Sequence, residues 1–279
     1  MHKNIAIVFD FDDTLAHDST SGLLKSMGVD LKTFWQKENK KLLDNCWDPV
    51  PAYMYQMIKW SQGQPEENRI TLKRIENYAN NIQFFDGVSR LFKHITDFTA
   101  KNDPSFNIEY YIISSGLGDL ISKTKIAKFM KDIFASDFSY NENGEIEFPK
   151  KIVSYTDKTR YIFQISKGLV GQDYKNKPFE VNRKIEPNEL RIPLSNIIFI
   201  GDGFTDVPCF SLLNKSGGTA FAVYDSNNTE KKYKAWDFIQ DGRVKNLHST
   251  NYKKGSDLVN SIEMSIRSII HKTKNVYQG

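Results

Sequence analysis

The clearest pattern in the chain is a set of short, unbroken apolar runs, each ending abruptly in polar residues. The first, Asn4-Ile5-Ala6-Ile7-Val8-Phe9, leads straight into Asp10-Phe11-Asp12-Asp13-Thr14. The second, "NIEYYIIS" from Asn107 to Ser114, continues into Ser115 and Gly116. The third, Asn196 to Ile200, runs into "GDGFTD", which ends at Asp206. A fourth, "TAFAVY", follows Gly217-Gly218. Runs of this kind predict strands buried on both faces. "RVKNLHS" predicts a weaker strand near the end of the chain.

Between these runs the apolar residues fall at three- and four-residue spacing, which predicts helices. They cover "FDGVSRLFKHITDFTA", "LGDLISKTKIAKFMKDIF", a stretch from about Lys158 to Gly168, Asp206 to about Asn214, and "SDLVNSIEMSIRSII". "ASDFSYNENGEIEFP" predicts a hairpin turning at Asn143-Gly144. Leu169 to Pro193 is polar, carries three prolines and reads as an irregular excursion. From about His17 to Asn81 the pattern is helical and poor in strands, and holds Trp35, Trp47 and Trp60. That segment can build a small core of its own and an aromatic-lined pocket.

Strands alternating with helices imply an α/β fold: a doubly wound, mostly parallel sheet with helices on both faces. Ligands bind such sheets at the carboxyl ends of the strands. The polar ends of the three strongest strands should therefore meet at one edge. Collected there are Asp10, Asp12, Asp13 and Thr14, then Ser114 and Ser115, then Asp202 and Asp206, with Lys158 opening a helix. Clustered carboxylates repel one another and lose hydration when buried, so such a cluster calls for a cation or a bound group. A carboxylate can attack phosphorus and hold it as an acyl phosphate. A hard, oxygen-ligated cation such as Mg²⁺ relieves the repulsion, and a lysine steadies the transferring oxygens. These are the parts of phosphoryl transfer, in a phosphatase or in a receiver domain. The receiver reading fits poorly, because such domains are far shorter than 279 residues.

Bulk properties narrow the field. The length suits one large domain, or a core with a smaller companion. A net charge of +4, spread along the chain, gives no footprint for nucleic acid. Cys46 and Cys209 form neither a CxxC pair nor a metal-ligand spacing, and without a disulfide framework a cytoplasmic location is expected. The opening residues do not resemble a signal peptide, and no apolar stretch approaches the length of a membrane span.

With these motifs in order, the chain resembles the haloacid dehalogenase-like (HAD) superfamily of phosphohydrolases. "IAIVFDFDDT" matches the superfamily's DxDx[TV] motif, "YYIISSG" its Ser/Thr strand end, Lys158 in "TDKTRYIF" its helix lysine, and "IIFIGDGFTD" its GDxxxD. The stretch "DFSYNENGEIEF" is similar to the phosphoserine-phosphatase-like branch. The resemblance implies a catalytic core in residues 1–16 and 83–279 and a helical C1 cap in 17–82. It implies Asp10 as nucleophile and Mg²⁺ ligand, and Asp12 as general acid and base, with its backbone carbonyl on the metal. Ser114 or Ser115, beside Gly116, would hold the phosphoryl oxygens, and Lys158 would pair with Asp10 and the phosphate. Asp202 would ligate the metal; Asp206 would ligate it directly or through water, or orient Lys158. Lys150 and Lys151 are the competing lysines, while Asp13 and Thr14 are expected to be structural.

An acid two residues after the nucleophile fits phosphate esters, so hydrolysis of a small phosphorylated metabolite is the leading expectation. A phosphomutase of the same superfamily, and a binding protein with a vestigial site, are the alternatives. The cap's Phe34, Trp35, Trp47, Tyr53, Tyr55 and Trp60 are expected in part to face the substrate. Substrate identity and oligomeric state are left open.

Overall fold

In a computed structural model, which describes residues 2–275, the apolar runs form strands of one sheet. Among these residues the order of elements is β1 (Asn4–Phe9), α1 (Ser19–Ser26), α2 (Lys40–Asp44), α3 (Pro49–Gln62), α4 (Leu72–Tyr78), α5 (Val88–Asn102), β2 (Asn107–Leu117), α6 (Gly118–Ile121), β3 (Met130–Tyr140) and β4 (Ile146–Lys151). There follow α7 (Asp157–Lys167), α8 (Gln172–Lys175), β5 (Ile197–Gly201), α9 (Val207–Lys215), β6 (Thr219–Tyr224), α10 (Thr229–Gln240), β7 (Leu247–Ser249) and α11 (Asp257–Asn275). The strands lie in the order β4-β3-β2-β1-β5-β6-β7. Every pairing is parallel except β3 with β4, the expected hairpin.

Alternation along β1 explains why its residues are all apolar. Ile5, Ile7 and Phe9 join one apolar layer and Ala6 and Val8 the other, and all five are 0% exposed. The first layer is covered by α5 and α11, through residues such as Leu91, Phe92, Ile262 and Ile266. The second is covered by α7, α9 and α10, through Ile162, Phe210 and Phe238. A strand with both faces covered leaves solvent only at its ends, and the polar residues follow at the carboxyl end.

The helices α1 to α4 fill the stretch between β1 and α5. Their apolar residues do not form a separate core. Leu23, Met54 and Ile75, with Phe34 from the π-helical turn Thr33–Asn39 between α1 and α2, belong to the same buried layer as Ile7 and Phe92. Two element expectations need correction. Most of "LGDLISKTKIAKFMKDIF" is not helix: α6 ends at Ile121, and from Met130 the chain is strand, paired with β2. The second is an element missed altogether, α10, capped by the Asn228 side chain, which accepts the Lys231 N–H. No helix among the described residues is long and apolar enough to cross a membrane.

Candidate active site

Asp10 is the first residue past β1, and its N–H still bonds the carbonyl of Ile200 on β5 at 2.9 Å. Asp202 is the first residue past β5, and Ser114 is the last residue of the unbroken buried run of β2. These neighbouring strands deliver their side chains to one edge. Lys158 is in the first turn of α7 and is 0% exposed.

Lys158 organises the site. Its Nζ lies 3.2 Å from Asp10 Oδ2 and 2.7 Å from Asp206 Oδ1, and donates to Thr205 Oγ1 at 3.1 Å. Those three partners match the three N–H bonds of an ammonium. Asp206 Oδ2 in turn accepts the Gly203 N–H at 3.1 Å, so both oxygens of that carboxylate already have protein donors. Gly201 has to be glycine here, because a Cβ would fall 2.4 Å from Asp206 Oδ2. Asp10 Oδ1 accepts the Phe11 N–H at 2.8 Å, and Thr14 Oγ1 donates to Asp202 Oδ1 at 3.3 Å.

Carboxylate oxygens of Asp10, Asp202 and Asp206 lie within 4.8 Å of one another. One ammonium faces three carboxylates, so the cluster carries excess negative charge when all are ionised. Burial raises the Asp10 pKa; Lys158 opposes this and Asp206 adds to it. Burial also raises that of Asp202, with Asp10 and Asp206 adding repulsion. Burial alone would lower the Lys158 pKa, but Asp10 and Asp206 outweigh it, and the ammonium is held charged. Hard oxygen donors, short of positive charge and close enough to share one ion, fit a divalent cation of the Mg²⁺ type.

Asp12 occupies a different setting. Its Oδ1 accepts the Ser19 N–H at 2.7 Å, at the start of α1. Burial, followed by the charge of Asp18, raises its pKa. Gly116 approaches so closely that a Cβ there would lie 2.5 Å from Asp12 Oδ2. Ser114 Oγ accepts the Gly116 N–H at 3.0 Å, which leaves its own O–H to donate elsewhere. Ser115 Oγ is buried without a partner, and its carbonyl accepts the Tyr53 hydroxyl at 2.7 Å.

The candidate acids, Lys158 and the β2 hydroxyls thus gather at one edge. Asp13 does not join them: it adopts a left-handed backbone (φ 56°) and its carboxylate pairs with Lys231 at 2.5 Å. Lys150 and Lys151 line a separate groove. Of the aromatic residues, Tyr53 reaches the edge, with Trp35 behind it at 6.1 Å. Trp47 and Tyr55 pack on each other at the surface. Thr205 and Ser19 were not foreseen as contributors. Thr205 could have been found inside GDGFTD, and Ser19 from the capping signal at Asp18, whose side chain accepts the Ser21 N–H.

No family model matches the sequence. A protein of Borreliella burgdorferi described as uncharacterized is 29% identical over 283 residues, covering 92% of this chain and 95% of that one. Among solved structures, a HAD family hydrolase from Salmonella enterica serovar Typhi aligns with TM-score 0.57 at 14% identity, covering 88% of this chain. This chain spans 66% of the length of that protein. A phospho-aspartyl intermediate analogue of phosphoserine phosphatase aligns with TM-score 0.54 at 16% identity, covering 94% of this chain and 99% of that one. The chain has the fold of the HAD hydrolases and phosphoserine phosphatases.

Proposed function

Given a HAD-type fold with these groups at its carboxyl edge, we propose that the protein is a Mg²⁺-dependent phosphatase. It would hydrolyse a small-molecule phosphomonoester through an aspartyl phosphate on Asp10. The observation that carries this reading is the buried Lys158 ammonium held between Asp10 and Asp206, with Asp202 close enough to share an ion with both. A salt bridge serving stability alone would leave no third carboxylate in excess.

Mg²⁺ held by Asp10, Asp202 and the Asp12 carbonyl, with Asp206 nearby, would neutralise the carboxylates and the substrate phosphoryl group. The protein's own groups do the rest. The Phe11 N–H and Lys158 hold the Asp10 carboxylate by one oxygen each, so it meets phosphorus in a fixed orientation. Attack by an Asp10 oxygen forms the new P–O bond as the ester P–O bond breaks. Asp12 gives its proton to the departing alkoxide, and the alcohol leaves. Asp12, now ionised, takes a proton from water as the water oxygen attacks phosphorus. The bond to Asp10 breaks, its carboxylate is restored, and inorganic phosphate departs. Lys158 and the Ser114 hydroxyl stabilise charge on the phosphoryl oxygens.

The test is a panel of small phosphomonoesters with Mg²⁺. We expect turnover that disappears on chelation and in Asp10→Asn, since an amide is a poor nucleophile and a poor ligand. Turnover by Asp10→Asn at the wild-type rate would remove Asp10 from the reaction.

A further inference from the structure

α7 presents cations on two sides. Lys158 points into the candidate active site, while Arg160 and Tyr161 line a groove of about 1170 Å³ bounded by β3, β4, α7 and residues 169–178. Gly118, which lines the groove close against Asp137, lies two residues beyond Gly116. Tyr53, which bonds the Ser115 carbonyl, also faces Ser136 and Asp137. The groove and the candidate active site therefore share a wall.

The acids of the groove already have partners. Asp132 accepts the Ile133 N–H at 2.8 Å and the Gly171 N–H at 2.7 Å, and Asp119 accepts the Tyr140 hydroxyl. Asp137 is the carboxylate that Lys150, Lys151 and Lys175 all face. The cations are less well matched. Lys151 Nζ is 3.9 Å from Asp137, beyond hydrogen-bonding distance, and 5.5 Å from the centre of the Tyr161 ring. Arg160 lies over the same ring at 4.6 Å and gives one N–H to the Tyr161 hydroxyl at 2.6 Å. Its Nε is buried with no partner. Lys150 and Lys175 are exposed at the groove mouth. Burial lowers the Lys151 pKa against the pull of Asp137 and Asp132, and the charges of Lys175 and Arg160 add a smaller push in the same direction as burial. A planar guanidinium with an unused donor, in a groove where four cations (Lys150, Lys151, Arg160 and Lys175) outnumber the three carboxylates of Asp119, Asp132 and Asp137, suits an oxyanion.

We propose that this groove is a second anion-binding site, which takes a phosphate or pyrophosphate group carried by a small molecule between Lys150, Lys151, Arg160 and Lys175. The anion would be either a second charged group of the substrate or a separate molecule. Binding as such does not depend on the phosphatase reading.

Inorganic pyrophosphate, titrated into the full chain without divalent cation, tests this by amide-resolved NMR. Without the cation, the excess negative charge at Asp10, Asp202 and Asp206 disfavours an anion there. Saturable shifts are expected at the amides of Gly118, Lys151 and Gly171. The binding should weaken at least tenfold in Arg160→Gln and in the double variant Lys150→Gln/Lys175→Gln. The latter changes only exposed side chains, so its fold is not in question. Shifts confined to Phe11, Gly116 and Gly203, or an affinity unchanged in both variants, would overturn the proposal. The source follows from turnover with Mg²⁺. A tenfold loss of kcat/KM in Arg160→Gln for a bisphosphorylated substrate, with an aryl monophosphate unaffected, assigns the site to the substrate's second anion. Unchanged kcat/KM for both, with pyrophosphate binding lost, assigns it to a separate molecule. If the protein turns over no phosphate ester, the phosphatase reading fails while the titration still decides the groove.

Discussion

Asp10 and Asp12 carry the same functional group two residues apart, and their surroundings separate them. Asp10 faces an ammonium and two carboxylates, whereas Asp12 faces the Ser19 N–H and Gly116. In the proposed reaction one is a nucleophile and the other a proton carrier, so Asp12→Asn should not behave like Asp10→Asn. It keeps the backbone carbonyl but has no proton to give. We expect a loss of about 10²–10⁴ in kcat/KM for alkyl phosphates and a much smaller one for aryl phosphates, whose leaving groups need little protonation. Equal losses on both, measured across a series of leaving-group pKa values, would contradict the acid role. Most of these residues were legible because the motifs around them are ordered and closely spaced. Asp13 was read as structural, but its partner Lys231 could not be named, because it lies on a helix that the apolar pattern did not reveal.

That helix shows why some elements were missed. In α10 the inward residues are Ala235 and Phe238, while Tyr233 and Trp236 are exposed, so its apolar residues do not mark one face. β3 failed for the opposite reason. Ile126, Phe129, Met130 and Ile133 sit at helical spacing, yet β2 offers an open edge, and strand pairing there overrides local preference. β1, β2, β5 and β6 were legible because burial on both faces makes each a short, nearly continuous apolar run, interrupted within β2 by Glu109. Among the helices before α5, α3 carries the contact that matters at the edge, Tyr53 to the Ser115 carbonyl. Tyr53→Phe leaves that partly buried acceptor short of a donor, which costs about 1 kcal/mol. It should lower thermal stability and raise KM for the preferred ester. Trp47→Ala, at a ring packed on Tyr55 at the surface, should leave KM unchanged. The reverse ranking of the two variants would show that α3 does not shape the site.

At the scale of the molecule, the excursion after α7 returns to the sheet through Arg191, which pairs with Glu109 on β2 and is joined there by the Tyr111 hydroxyl. Burial pushes the Glu109 pKa up, but the hydrogen bonds from Arg191 and Tyr111 outweigh it, and the net shift is downward. A carboxylate held below its unfolded pKa contributes stability that is complete above that pKa, near 4.3. The contribution is lost as pH falls through the lower folded value. Glu109→Gln should therefore be less stable than wild type at pH 7 by about 1–3 kcal/mol in denaturant unfolding, a range that charged hydrogen bonds support. The difference should shrink below about pH 4. A difference that stays constant from pH 7 to 3 would mean that the charge of Glu109 is not what matters.

The covalent step can be seen without knowing the natural substrate. The protein is mixed with Mg²⁺ and an aryl phosphate, quenched in acid during turnover, and reduced with borohydride, which converts an acyl phosphate to an alcohol. Peptide mass spectrometry then reads which carboxylate was phosphorylated. Reduction at Asp10 to homoserine, absent when substrate is omitted and absent in Asp10→Asn, is the result expected of a phosphatase working through this residue. Sustained turnover with Asp10 unmodified, or with the label on Asp12 or Asp202, would contradict it.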